Sequence, residues 1–292
     1  MKIHTLNLYE YYGITPGPGA KGTLTCYCTP VSTELTTIRK RPMILVIPGG
    51  GYSRVSQREG EPIALRFLTM GYSAFVLEYT CAPAMFPVAL QEAAMAMKYI
   101  RSHAEEYEGN PDMVAAVGFS AGGHLCGTLG TLYDHPAVAQ IAPAHVVRPD
   151  ALGLSYPVML SYGPTHEGTM NNISGNDPQL RHQLSIDKLV RPDMPPVFLW
   201  HTRDDTVVPV RNSILTAAAL DEAGVDFALH IYRKGVHGLA TADDLVFTKE
   251  GMSDMSWDAP GWLDAMGKFF ADCGFEVQDR AMEGHTLKGY RP

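Results

Sequence analysis

The chain has 292 residues, 46% of them hydrophobic, and a formal net charge of −8 at pH 7. That acidic balance, with no basic cluster beyond the short run Arg39-Lys40-Arg41, argues against nucleic acid or an anionic membrane as partner, and no apolar run approaches the length of a membrane helix. The first residues lack the apolar stretch of a signal peptide and the five cysteines are odd in number and scattered, so free thiols in a reducing, cytoplasmic setting are expected.

Strand-like and helix-like segments alternate along the chain without an evident linker, which predicts an α/β fold in one domain spanning residues 1–292. Ile3 to Tyr9 and Thr23 to Cys28 read as antiparallel edge strands. Met43 to Ile47 reads as a buried strand and ends in the loop Pro48-Gly49-Gly50-Gly51-Tyr52. Helices follow at Glu61 to Met70 and Pro87 to His103, then a second buried strand at Met113 to Val117. That strand runs into Gly118-Phe119-Ser120-Ala121-Gly122 and a helix over Ala121 to Leu132. A strand is expected at Val158 to Ser161, another at Pro196 to His201 and a third at Phe227 to Tyr232, with helices at Val210 to Ala223 and Pro260 to Cys273. Tyr162 to Pro195 breaks the alternation: it is rich in Gly, Asn, His and Pro, with a short helical pattern at Gln179 to Val190. Segment 162–195 is either a small cap over a substrate entrance or an ordinary surface loop.

Chemistry concentrates in four loops that follow strands. In the G-x-S-x-G pattern the flanking glycines have no Cβ atoms, so Ser120 can occupy a strained strand-to-helix turn with its Oγ clear of the sheet. Three glycines at 49–51 let backbone approach a substrate, and the N–H groups of Gly50, Gly51 and Ala121 are the expected donors to a developing oxyanion. Tyr52 is expected beside the substrate, next to the cap. Two aspartates, Asp204 and Asp205, compete for the acid position after the strand Pro196 to His201, and only one of two neighbours can face a histidine. Among eleven histidines, His237 alone lies in a glycine-flanked loop beyond the strand that follows those aspartates. His230 is mid-strand and His124 is one turn into the Ser120 helix, and both are read as structural.

Together, Pro48 to Tyr52, the following Ser56-Gln57-Arg58-Glu59-Gly60-Glu61-Pro62, Gly118 to Gly123, His201 to Pro209 and Gly235 to Gly238 resemble the acetyl-esterase-like α/β hydrolases, which include carbohydrate acetyl and feruloyl esterases. The likeness covers about Pro42 to Cys273. It implies the α/β-hydrolase fold, a mostly parallel central sheet with helices on both faces, and the chain order nucleophile, acid, histidine. It selects Asp205 as the acid, because His201, Asp205, Val208 and Pro209 match the H-x-x-x-D-x-x-V-P arrangement of the acid loop, and leaves Asp204 to bond within its own loop. One departure is Pro48, which stands where hormone-sensitive-lipase relatives carry histidine.

The resulting expectation is a serine carboxylic-ester hydrolase of short acyl groups, acetyl foremost, acting on a small-molecule ester such as an acetylated carbohydrate, with Ser120, Asp205 and His237 as catalytic residues and with no cofactor and no metal. An amidase, a peptidase or a lipase-like esterase would use the same triad, and a non-catalytic binding protein would need none of it. Homo-oligomerisation is left open. Three motifs mislead: Gly17 to Gly22 matches G-x-G-x-x-G without a preceding buried strand, Cys26 and Cys28 lack a second pair at zinc spacing, and Ser185-Ile186-Asp187-Lys188 lacks the companion motifs of a β-lactamase site.

Overall fold

The computed structural model describes residues 1–30, 39–247, 256, 258–276 and 278–279. Among these, strands β1 (Lys2–Asn7), β2 (Thr23–Cys28), β3 (Arg39–Ile47), β4 (Ser73–Glu78), β5 (Gly109–Phe119), β6 (Ala151–Ser155), β7 (Val197–Thr202) and β8 (Phe227–Tyr232) form a sheet in the order β1-β2-β4-β3-β5-β6-β7-β8. A short β9 (Gln278–Asp279) pairs with the start of β3. The pairings β1/β2 and β2/β4 are antiparallel, and every pairing from β4 through β3, β5, β6 and β7 to β8 is parallel.

Side chains alternate across a strand, so the continuous apolar run of β3 feeds two cores. Met43, Leu45 and Ile47 pack with the helices Val88–Ser102, Ala121–Thr131 and Arg211–Ala223 on one face. Ile44 and Val46 pack on the other, against Ile63 and Phe67 of the helix Glu61–Thr69 and against Trp262, Met266 and Phe270 of the helix Trp262–Asp272. Those three residues recur at helical spacing and give that helix a single apolar stripe.

Because the central strands are parallel, their carboxyl ends share one edge, and the loops carrying residues 48–52, 120, 205 and 237 all emerge there, where open α/β sheets place their sites.

The expected α/β-hydrolase architecture stands, with local corrections. The strand expected at Val158 to Ser161 is instead β6 at Ala151–Ser155, and Val158 to Leu160 form a buried irregular stretch beyond it. The N-terminal strand stops at Asn7, whose side chain caps a one-turn helix, Leu8–Tyr12, by accepting from the N–H groups of Tyr9 and Glu10. The helical pattern at Gln179 to Val190 resolves into Pro178–Gln183 and Ile186–Leu189, and a further helix, Glu167–Ser174, precedes them. Strand β4 lay in a stretch to which no element was assigned.

Candidate active site

Ser120 sits at the apex between β5 and its helix with φ 53° and ψ −116°, outside the regions open to most L-residues at no strain. The turn survives because its surroundings leave no alternative: Ser120 N–H donates to Ser155 O (3.0 Å), and its carbonyl accepts from Val158 N–H (3.1 Å) and His124 N–H (3.2 Å). Gly122 lets the helix ride against the end of β3, since a Cβ there would lie 2.1 Å from Ile47 O and 2.3 Å from Pro48 O.

His237 bridges the other two groups. Ser120 Oγ lies 2.8 Å from Nε2 and Asp205 Oδ2 lies 2.6 Å from Nδ1. A carboxylate only accepts, so Nδ1 carries the hydrogen and Nε2 is left to accept the serine proton. The histidine loop is anchored to β7 by Thr202 Oγ1–H, which donates to Gly235 O at 2.8 Å, and the Tyr156 ring stands edge-on to the imidazole with centroids 5.1 Å apart.

Asp205 is buried, and its Oδ1 accepts the N–H groups of Val207 and Val208, both at 2.9 Å. Burial pushes its carboxyl up, but hydrogen bonding from His201 and His237, the charge of His237 and the Val208 amide outweigh that and hold it well below the usual carboxylate range. His201 is itself fixed: its Nε2–H donates to Val208 O (2.9 Å) and passes 3.4 Å from Asp205 Oδ2, while Nδ1 accepts from Ser213 Oγ–H (2.8 Å). Asp204 points to solvent and accepts from Arg203.

The amides of Gly50, Gly51 and Ala121 make no hydrogen bond within the described residues. Their direction follows from the carbonyls before them, because C=O and N–H point oppositely in a trans peptide. Gly49 O accepts from Ser56 N–H (2.9 Å), Gly50 O accepts from Ser53 N–H (3.1 Å), Arg54 N–H (3.2 Å) and Ser53 Oγ–H (2.9 Å), and Ser120 O is held as above. Gly50 has φ 124°, and a Cβ there would come within 2.1 Å of Arg54 O. No other residue fits that turn.

A cavity of about 340 Å³ opens on this arrangement, lined by Gly50, Gly51, Ser120 and His237 and, from segment 162–195, by His166 and Asn172. Asn172 Nδ2–H donates to Gly51 O at 2.8 Å, so the segment is tied directly to the glycine loop. Tyr52 is not among the cavity walls. Its side chain is 1% exposed, its ring packs against Tyr79, and its hydroxyl donates to His124 Nδ1 at 3.0 Å. His124, fully buried, passes the connection on from Nε2–H to Leu184 O at 2.8 Å. His230 packs beside Phe198 of the neighbouring strand, with ring centroids 4.8 Å apart, and does not line the cavity.

Sequence reasoning missed Glu59, which is 3% exposed beneath the glycine loop. Its Oε2 accepts Gly49 N–H and its Oε1 accepts Tyr156 Oη–H, both at 2.8 Å. A glutamate within the polar stretch Ser56 to Pro62 carries the signature of a surface residue, and only its place in the motif following the glycine loop marks it. Among the described residues, no three His, Cys, Asp or Glu side chains cluster as a metal site, and no helix is long and apolar enough to cross a membrane.

Comparison with known proteins agrees with the geometry. The family model described as BD-FAE matches residues 33–220. Endo-1,4-beta-xylanase B of Butyrivibrio fibrisolvens is 38% identical over 72% of this chain and 34% of its own length. The acetylxylan esterase of Xylanibacter ruminicola is 31% identical over 76% of this chain and 45% of its own. The chain thus spans between about a third and a half of these relatives. Among solved structures, an acetyl ester-xyloside bifunctional hydrolase from Caldicellulosiruptor lactoaceticus is 34% identical with a TM-score of 0.77, covering 94% of this chain and 97% of that one. The carboxylesterase Cest-2923 from Lactobacillus plantarum is 25% identical with a TM-score of 0.81, covering 96% of this chain and all 100% of that one. The chain belongs to the BD-FAE family and has the α/β-hydrolase fold.

Proposed function

We propose that this protein is a serine carboxylic-ester hydrolase that removes short acyl groups, acetyl foremost, from small hydroxylated molecules. The observation that carries the reading is the continuous hydrogen-bonded line Ser120, His237, Asp205 at 2.8 and 2.6 Å, opening on the cavity. Names given to its relatives, an acetylxylan esterase and an acetyl ester-xyloside hydrolase among them, support the substrate class.

On this reading Ser120 Oγ attacks the acyl carbon while its proton passes to His237 Nε2, and Asp205 offsets the charge that forms on the imidazole. The carbonyl oxygen becomes an oxyanion facing the amides of Gly50, Gly51 and Ala121, which need no reorganisation because the carbonyls that share their peptide units, those of Gly49, Gly50 and Ser120, are already held. Collapse breaks the bond to the alcohol oxygen, which takes the proton from Nε2. Water then repeats the sequence on the acyl-Ser120 ester, releasing the acid and restoring the serine. Segment 162–195 acts as the cap of the site, and a cavity of about 340 Å³ falls near the lower end of the roughly 300–1,000 Å³ typical of ligand sites, which suits a short acyl group.

The intermediate provides the test. Acid quenching during turnover of p-nitrophenyl acetate, followed by peptide mass analysis, should find one acetyl group on the peptide containing Ser120. Acetyl found only on another side chain would overturn the assignment.

A further inference from the structure

His166 enters the cavity from segment 162–195 with its two ring nitrogens in unlike roles. It is the N-cap of the helix Glu167–Ser174, where Nδ1 accepts the N–H of Thr169 at 3.2 Å and lies 2.7 Å from Thr169 Oγ1. A nitrogen that accepts a backbone N–H carries a lone pair and no hydrogen. The neutral ring therefore has its hydrogen on Nε2, and among the described residues that group donates to nothing. Burial, and the neighbouring His237, push the imidazole below its ordinary pKa, which favours this neutral form.

The ring is also held in place. Its Cε1 is 3.7 Å from the position a Cβ would take on Gly51, and Asn172, on the same helix, bonds the Gly51 carbonyl. Arg181 clamps the helix further by donating to Glu167 and Asn171. A fixed, neutral N–H donor thus lines the same cavity as Ser120 and His237, and it is not one of the backbone amides that face an oxyanion.

Resting on the esterase reading above, we propose that His166 selects the alcohol part of the substrate, its Nε2–H donating to a hydroxyl or ether oxygen adjacent to the ester, so that the preferred substrates are monoacyl esters of polyols and sugars and not of simple alkanols. A site built to bond an oxygen discriminates against the analogue lacking it, because the donor is then left unpaired.

A matched pair of substrates isolates the effect: glycerol monoacetate and propyl acetate share a carbon skeleton and an acyl group and differ in the hydroxyls. His166→Asn keeps a side-chain acceptor for the helix cap and removes the donor that reaches the cavity. The wild type should favour glycerol monoacetate by about tenfold in kcat/KM, and His166→Asn should bring that ratio close to one by slowing the glycerol ester more than the propyl ester. An unchanged ratio, or a parallel fall on both esters, would overturn the role of His166 while leaving the esterase reading intact. A wild type that cleaves neither ester would overturn both.

Discussion

Glu59 and Tyr156, 97 residues apart in sequence, share a 2.8 Å hydrogen bond that ties the glycine loop to the histidine loop. The tyrosine hydroxyl donates to the carboxylate and accepts from Ala240 N–H at 2.9 Å, and the carboxylate accepts Gly49 N–H with its other oxygen. Three chain segments, those of Gly49, Tyr156 and Ala240, are therefore tied together through one buried acid.

Removing that acid orphans two donors, each worth about 1–3 kcal/mol when left buried and unpaired. Glu59→Ala should lose at least about 2 kcal/mol of unfolding free energy in urea and lower kcat as Gly49 is released, whereas Glu59→Gln, which keeps an acceptor oxygen, should lose clearly less. Equal loss in the two variants would mean that packing, and not the hydrogen bonds, explains the burial of Glu59.

The acid position separates two neighbouring aspartates by environment. Asp205 is buried with four polar partners around it, and Asp204 is exposed. An amide at 205 no longer fixes the imidazole tautomer or offsets its charge, so Asp205→Asn should lower kcat by about 10³–10⁴-fold. Asp204→Asn should stay within about twofold. Steady-state kinetics on one acetyl ester, with circular dichroism to confirm folding, decides between them, and a larger loss at 204 would contradict the assignment.

Much of this was legible in the sequence where burial and chemistry coincide. The runs in β3, β5 and β7 are apolar on both faces, and they and the half-buried β8 end in loops whose residue types announce themselves, so the three side chains that the structure brings together, Ser120, Asp205 and His237, could be picked out by type, spacing and order. Position β6 failed for a physical reason: Ala151 to Ser155 and Val158 to Leu160 are equally buried, and a buried irregular stretch has the same composition as a strand. The helix Pro178–Gln183 carried a readable signal in Asp177 as N-cap and Pro178 in the first turn, but Ser185 begins a new helix where the periodicity alone ran on. Tyr52 shows the opposite limit, since nothing local reveals that a tyrosine beside three glycines turns inward to meet His124.

His124 makes the stability of the protein depend on pH. Burial pushes its pKa down to about 4, with the hydrogen bond to Leu184 opposing. In the unfolded chain the imidazole takes its proton near the ordinary value of about 6.5, so the stability that neutral His124 contributes is complete above that pH and is lost as pH falls through about 4. The loss amounts to about 3 kcal/mol. Urea unfolding between pH 7 and pH 4 should show His124→Gln losing less stability than the wild type by about that amount. Parallel profiles would show that the imidazole is charged inside the fold.

On the proposed reading the cavity of about 340 Å³ receives the acyl group. Overfilling a packed site costs about 1–3 kcal/mol, which corresponds to roughly a five- to hundred-fold fall in rate. For acetyl, butyryl and octanoyl esters of one alcohol, kcat/KM should fall in that order, and a maximum at octanoyl would exclude an acetyl esterase in favour of a lipase-like enzyme.

The central claim is that Ser120 is the nucleophile, and replacing its hydroxyl tests it most directly. Ser120→Ala deletes one oxygen from a turn whose backbone is held by Ser155, Val158 and His124, so the fold should persist. Hydrolysis of acetyl esters should fall by about 10⁴-fold or more, and a fluorophosphonate probe that labels the wild type should no longer react. Substantial turnover by a purified, folded Ser120→Ala protein would contradict the account.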